Sequence, residues 1–241
     1  MDTERWDGYL RFLGKKEDKF LILNDEELHH AKVRRIKLNE IIEVNTLDGN
    51  VYLGKVIEIN KKFLKAEILE KLNVEESKSS ITLYQLMPNK LSKIDDIIEP
   101  ISELGVDKFV PVIGKFSSVK EKDILKKFPK WEKKALNSIK QCKRAFPVKI
   151  EKPVKIKDIN ASSEFNIVFY EKERNKRLKD FLDKSFQSVS VVIGGEGGFA
   201  EDEIKSLKEK GFITLSLGKN ILRMETALIT AIAQVQLILK D

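Results

Sequence analysis

Cysteine is almost absent from this 241-residue chain: Cys142 is the only one. That excludes an internal disulfide, zinc fingers and CxxC redox chemistry. The two histidines, His29 and His30, are adjacent and have no matching carboxylate–cysteine set, so no metal site is expected. Long apolar runs are missing as well. The longest candidate, Ala227–Leu239, is shorter than the ~18 residues of a membrane span and is interrupted by Gln234 and Gln236. Met1–Asp7 carries acids rather than a basic and then apolar run, so no targeting segment is expected. A lone cysteine suits a reducing compartment, and a cytoplasmic protein is expected. No internal repeat is visible. The length suffices for roughly one or two domains with cores that need no staples.

Charge is plentiful and unevenly placed. The chain holds 45 basic and 38 acidic residues, a net of +7. Residues 1–76 carry 14 basic and 16 acidic residues, whereas 77–241 carry 31 and 22. Within 115–157 the count is 15 basic against 4 acidic. A block of this sign attracts polyanions; a solvated lysine-rich surface is the plainer reading.

The apolar spacing changes near residue 75. Before it, short runs at Gly8–Leu13, Lys19–Leu23, Ile41–Leu47, Val51–Ile59 and Phe63–Leu69 read as strands, with Asp48-Gly49-Asn50 as a hairpin turn. One helix, Glu26–Arg35, capped by Asn24 or Asp25, interrupts them. This spacing predicts a small barrel over 1–75. Glu75–Ser80 reads as a linker. Beyond it, strands at Ile81–Met87, Phe109–Ile113, Ile167–Tyr170, Val189–Ile193 and Ile213–Leu217 alternate with helices. The helices are Ser92–Leu104, Trp131–Arg144, Asp202–Lys210 and Arg223–Leu239. Such alternation predicts an α/β domain over 76–241 with a mostly parallel sheet. The last helix is apolar nearly all round and must be covered, as a core helix or at a subunit interface.

Two segments carry chemistry. Val191-Val192-Ile193 runs into Gly194-Gly195-Glu196-Gly197-Gly198-Phe199: a buried strand, four glycines, then a helix. Glycines let backbone approach a ligand closely, and ligands of open α/β sheets sit outside the carboxyl ends of strands. The segment satisfies neither the Walker pattern nor GxGxxG; a tight structural turn is the bland alternative. Leu215-Ser216-Leu217-Gly218 has the same form, passing through Lys219–Arg223 into the apolar helix. Asn166–Tyr170, ending at Glu171, supplies a third loop for one pocket.

Taken together, IGGEGGF (193–199) and LGKNILRMETA (217–227) resemble the SPOUT methyltransferases, specifically the RsmE family. His29-His30-Ala31-Lys32-Val33-Arg34-Arg35, Glu103-Leu104-Gly105-Val106 and Gln141-Cys142-Lys143-Arg144 with Pro147 are similar to further motifs of that family, in order along nearly the whole chain. The resemblance implies S-adenosylmethionine-dependent methylation of uridine N3 in small-subunit (16S) ribosomal RNA. It implies an N-terminal PUA-like β-barrel, a C-terminal SPOUT domain with a trefoil knot, and a homodimer through the knot and the last helix. The implied partner is 16S rRNA or the assembled small ribosomal particle, with neither membrane nor metal. The implied cofactor pocket comprises Tyr170, Glu171, Gly194, Gly195, Glu196, Gly197, Gly198, Leu217, Gly218, Ile221, Leu222 and Thr226. Arg223, opening a helix beside that pocket, is the candidate cation for the developing imide anion. Its alternative role is a phosphate clamp or an ion pair with Glu225 or Glu196. Glu196 is the candidate to orient the cofactor or accept the proton, or simply to bond loop amides. His29, Arg35, Lys133, Lys140, Gln141 and Arg144 are the candidate RNA contacts. Lys133, Asn137, Lys140 and Arg144 recur at helical spacing and predict one shared face.

Some positions depart from the family pattern. Gly195 stands where relatives carry Pro, Ala200 where a Ser would complete a capping box with Glu203, and Pro100 where a Lys precedes ELGV. Lys140 replaces a Glu, Asn220 an Arg and Met224 a Thr. The pocket glycines are kept while several polar groups are not. A SPOUT enzyme methylating a ribose 2′-hydroxyl, or a non-catalytic RNA-binding or ribosome-assembly protein, are the other readings.

Overall fold

The computed structural model describes residues 8–74 and 77–240; Met1–Asp7 and the first two residues of the expected linker lie outside them. Contacts divide the chain into two compact units. The first takes the N-terminal segment together with Ile139–Phe146; the second takes Ser77–Ser138 and the chain from Pro147 onward.

The first unit contains β1 (Arg11–Leu13), β2 (Lys15–Glu17), β3 (Phe20–Asn24), α1 (Asp25–Val33), β4 (Ile41–Asn45), β5 (Val51–Ile59) and β6 (Phe63–Leu72). The strands form one sheet in the order β1-β4-β5-β6-β3-β2, antiparallel except where β1 meets β4. That order is open, so the small barrel expected from the spacing takes the form of a half-barrel. The expected hairpin forms: Asn45 pairs with Val51 around a turn in which Gly49 takes φ +86°. Alternate residues point inward, so Phe12, Leu21, Leu23, Ile42, Val44, Leu64 and Ala66 make the core, with Leu28 and Ala31 of α1 against it. Asn24 occupies the N-cap of α1 without a side-chain cap bond.

Residues 139–146, read from sequence as part of the second domain, cluster here for a specific reason. Helix ends leave carbonyls without partners. Arg11, only 5% exposed, donates to the Ile139 and Arg144 carbonyls (3.3 and 2.8 Å), and Asn45 donates to that of Ala145 (2.8 Å). Glu43 pairs with both Arg11 and Lys143, so the buried Arg11 and Glu43 charges are both partnered.

The second unit contains β7 (Ser80–Leu86), α2 (Ser92–Glu103), β8 (Lys108–Ile113), α3 (Glu121–Leu125), α4 (Phe128–Cys142, whose end belongs to the first unit), β9 (Lys149–Ile150), β10 (Val154–Lys155), β11 (Phe165–Phe169), β12 (Ser188–Ile193), α5 (Glu201–Glu209), β13 (Ile213–Leu215) and α6 (Met224–Val235). Ser80, assigned to the linker from sequence, instead opens β7. The sheet order is β10-β8-β7-β12-β11-β13, with β9 also on β8, and every pairing is parallel.

The period-two alternation sorts residues between two cores. Ile167, Phe169, Val191 and Ile193 join Ile94, Ile98, Trp131, Leu228 and Ile232 from α2, α4 and α6. Val168 and Val192 join Ile204 and Leu207 from α5. Helices therefore cover both faces, as a parallel sheet requires.

Helix bounds shift from expectation. α4 starts at Phe128, with Pro129 in its first turn where a missing N–H costs nothing. It stops at Cys142 because Lys143 turns left-handed (φ +64°). Arg144 therefore lies beyond the helix and not on the predicted shared face. The last helix runs only to Val235 and tightens into a 3-10 turn at Gln236–Ile238. Asp95 of α2 is buried and accepts from Trp131 Nε1 (2.8 Å), Lys130 (2.6 Å) and Lys127 (3.0 Å). Burial opposes its charge, but those three donors outweigh it and hold the carboxyl below its usual value. No helix is long and apolar enough to cross a membrane among the described residues.

Candidate functional site

The carboxyl ends of β11, β12 and β13 lie side by side, and the loops leaving them wall an open cleft of about 620 Å³. Tyr170, Glu171, Gly194, Gly195, Gly198, Leu217, Gly218, Ile221 and Leu222 line it. Phe169, Arg174, Ile193, Ser216, Asn220, Met224 and Ala227 complete the wall and were not singled out from sequence. Arg174 could not have been read locally, because the loop that presents it is shaped by a distant strand. Thr226 is exposed and stands off the lining. Glu196 and Gly197 line a second, smaller cavity of about 260 Å³ on the other side of the glycine loop, while Gly195 and Gly198 face both.

The glycines have separate reasons. Gly198 takes φ +66°, and a Cβ there would stand 2.9 Å from Glu171 Oε1. A Cβ on Gly195 would stand 3.3 Å from the backbone oxygens of Leu86 and Met87. The Gly198 amide donates to the Gly195 carbonyl (3.1 Å), closing the turn. Buried Gln85 steadies it from β7: its Nε2 donates to the Gly194 (3.1 Å) and Leu86 (2.8 Å) carbonyls.

The loop after β11 is built around Glu173. Its carboxylate accepts the amides of Asn175 (2.9 Å) and Arg174 (3.0 Å) and the Thr214 hydroxyl (2.8 Å) from β13. The Asn175 amide and the Thr214 hydroxyl together pull its pKa down to about 2. Ser216 closes the other side, its amide donating to the Lys176 carbonyl (2.8 Å). Glu173 has no motif to announce it; a Glu beside backbone amides in a loop is the only sequence signal.

Glu196 is engaged elsewhere. Lys93 of α2 bridges Glu196 (2.7 Å) and Glu225 (3.1 Å), and Glu196 also accepts the Asn89 amide (3.3 Å). The Lys93 hydrogen bond lowers the Glu196 pKa, which makes it a poor proton acceptor. Hydrogen bonds to Glu196 and Glu225 raise that of Lys93 in turn. Of the roles read for Glu196, loop bonding is the one these contacts serve. Arg223 is exposed at the N-cap of α6, between the cleft residues Leu222 and Met224, and its side chain makes no hydrogen bond or ion pair within the site among the described residues. Lys93 takes the ion pairs read for it. Ala200 offers no side-chain oxygen, so only the reciprocal half of the capping box forms: Glu203 accepts the Ala200 amide (2.9 Å).

The candidate RNA residues divide. His29, Arg35, Lys133 and Gln141 are exposed. Lys140 is not free to meet a polyanion: its ammonium pairs with Glu27 at 2.7 Å, with both side chains largely buried. Arg144 is half-buried. His30 turns inward against the Phe12 ring, and burial lowers its pKa. Among the described residues no cluster of His, Cys, Asp and Glu could hold a metal.

Known proteins resemble this chain along most of its length. Residues 75–236 match the family model of an RNA methyltransferase domain, and residues 23–69 that of an RNA methyltransferase PUA domain. A ribosomal RNA small subunit methyltransferase E from Aquifex aeolicus is 37% identical over 219 residues, 91% of this chain and 95% of that protein. The structure of a ribosomal RNA small subunit methyltransferase E from Neisseria gonorrhoeae bound to S-adenosylmethionine aligns with a TM-score of 0.83 at 26% identity, covering 96% of this chain and 98% of that one. A Legionella pneumophila structure, also with bound S-adenosylmethionine, aligns with a TM-score of 0.83 at 27% identity, covering 95% and 97%.

Proposed function

The chain belongs to the RsmE family of RNA methyltransferases, and from that membership we propose that it methylates N3 of a uridine in 16S ribosomal RNA. It is an RNA methyltransferase that uses S-adenosylmethionine. The observation that carries the reading is the cleft where three strand-end loops meet.

The residues present fit the cofactor. The cleft combines apolar side chains with a few convergent polar groups, the make-up of a small-molecule site. Leu217, Leu222, Met224 and Ala227 offer an apolar wall for a purine. Glu171 and Ser216 would take hydroxyl or ammonium groups, and Arg174 a carboxylate. The absence of side chains at Gly195 and Gly198 leaves backbone exposed to the ligand. When bound, the cofactor supplies an electrophilic methyl on a sulfonium. The protein's part is to position the acceptor, which accounts for ~7–11 kcal/mol in favourable cases. It must also steady the uracil anion as N3 loses its proton. Arg223, exposed beside Leu222 at the cleft, is the cation for that role.

N3 lies on the Watson–Crick edge, so the base must be unpaired or flipped out. The basic block over 115–157 and exposed Lys133 and Gln141 support backbone binding, with affinity falling as salt rises. A homodimer through the knot and the last helix belongs to the same reading; Ile229 of α6 and Leu237 of the 3-10 turn after it stand 41% and 68% exposed. So do the division into a PUA-like domain over 1–75 and a SPOUT domain over 76–241, the trefoil knot around the cofactor, and cytoplasmic residence with the ribosome.

Arg223→Ala should cut turnover at least tenfold while changing S-adenosylmethionine affinity less than twofold by calorimetry, with partial rescue by Arg223→Lys. Normal turnover in Arg223→Ala would remove the assignment. Mass spectrometry of small-subunit RNA from cells with and without the gene tests the target.

A further inference from the structure

The smaller cavity beside the glycine loop has an aromatic ring at its mouth. Phe116 is 56% exposed, although both cores of its unit are filled by other residues. The ring is held rather than loose. A Cβ on Gly197 would stand 3.0 Å from Phe116 Cβ, so the side chain lies directly on the loop. The turn carrying it closes through the Ser117 amide and Gly114 carbonyl (3.0 Å). It is tied to the end of β7 by Ser117 Oγ on the Met87 carbonyl (2.9 Å) and Ser118 Oγ on Asn89 Oδ1 (2.8 Å). Exposed Lys90 and Lys120 flank these segments in sequence, and Lys115, also exposed, pairs with Asp202 (3.2 Å). The cavity behind the ring, about 260 Å³, has a polar edge of Asn89 and Ser117 and the backbone of the glycine loop. Gly195 and Gly198 form the wall that it shares with the cofactor cleft.

A fixed, exposed aromatic face with lysines in its flanking segments, one loop away from a methyl-donor site, is the combination that holds unpaired nucleic-acid strands. Aromatic rings stack bases of any identity, and lysines track the phosphates. We propose that Phe116 is a stacking platform for an unpaired nucleobase that flanks the methylated uridine. The glycine loop separates the two cavities, so the reacting base enters the cofactor cleft and its neighbour rests on Phe116. Flipping the target costs unstacking energy, and the platform offsets part of it by re-stacking the adjacent base. The inference rests on the RNA methyltransferase reading and assigns that enzyme a substrate-holding residue.

The test uses the full chain and a small-subunit RNA transcript containing the target region. Phe116→Ala should weaken RNA binding about 5- to 150-fold, the equivalent of ~1–3 kcal/mol of base–aromatic stacking. Its affinity for S-adenosylmethionine and its melting temperature should stay at wild-type values. Phe116→Trp should keep RNA affinity, and its added indole fluorescence should be quenched when RNA binds. Wild-type RNA affinity in Phe116→Ala overturns the platform, as does an indole that does not respond to RNA. A changed oligomeric state with unchanged RNA affinity overturns it in favour of a self-association role. Failure of the wild-type protein to bind or methylate both the transcript and the assembled small ribosomal subunit would overturn the uridine-methylation reading itself, and the platform with it.

Discussion

Replacing Gly198 by alanine puts the cofactor cleft under a load that can be worked out in advance. The residue sits at φ +66°, where a side chain costs ~1–2 kcal/mol of backbone strain. The new methyl would also stand 2.9 Å from Glu171 Oε1. That oxygen ends an exposed, flexible side chain, so the contact relaxes cheaply by swinging Glu171 off the cleft wall. Strain should therefore appear as lost stability and the displaced carboxylate as lost ligand affinity. At about 2–4 °C per kcal/mol for a chain of this size, the melting temperature without ligand should fall by roughly 2–8 °C. Affinity for S-adenosylmethionine, measured by calorimetry, should drop several-fold. The double variant Gly198→Ala with Glu171→Ala separates the two causes: melting should stay depressed, because strain does not depend on Glu171. A single variant with wild-type melting and wild-type affinity would contradict this account.

Other expectations follow from particular contacts. Asp95→Ala leaves the buried Trp131 Nε1 without its acceptor and should cost about 2–3 kcal/mol in denaturant unfolding; Asp95→Asn, which keeps an acceptor oxygen, should cost less. Lys127 and Lys130 are 31% and 56% exposed and return to water, so they add little. Glu173→Gln should loosen the loop that presents Arg174, seen as faster amide exchange at residues 174–176 and a weaker cofactor affinity. The Glu173 pKa is depressed from 4.5 to about 2, so its contribution to stability is complete above pH 4.5 and is lost as pH falls toward 2. In Glu173→Gln that part of the acid dependence should vanish; an unchanged acid profile would count against the role given to these bonds to Glu173.

Local patterning along the chain was enough for properties set by neighbours a few residues apart. The alternation Val191-Val192-Ile193 already assigns each side chain to one face of a parallel strand, because successive side chains point oppositely. The glycines at 194–198 mark a strand end where backbone must come close to something, and the ordered motifs name the family and its cofactor. Folding then chose which distant groups those residues meet. Glu196 looks like a site carboxylate until Lys93, about a hundred positions earlier in the chain, is seen to hold it against Glu225. Arg144 keeps helical spacing on paper, but Lys143 turns left-handed and Arg11 captures the Arg144 carbonyl beyond it. Glu173 and Thr214 carry no pattern at all until β11 and β13 pair and bring them within 2.8 Å. Periodicity reports which way a side chain points; only chain closure over long sequence separations supplies the partner that sets its charge, its freedom and its use.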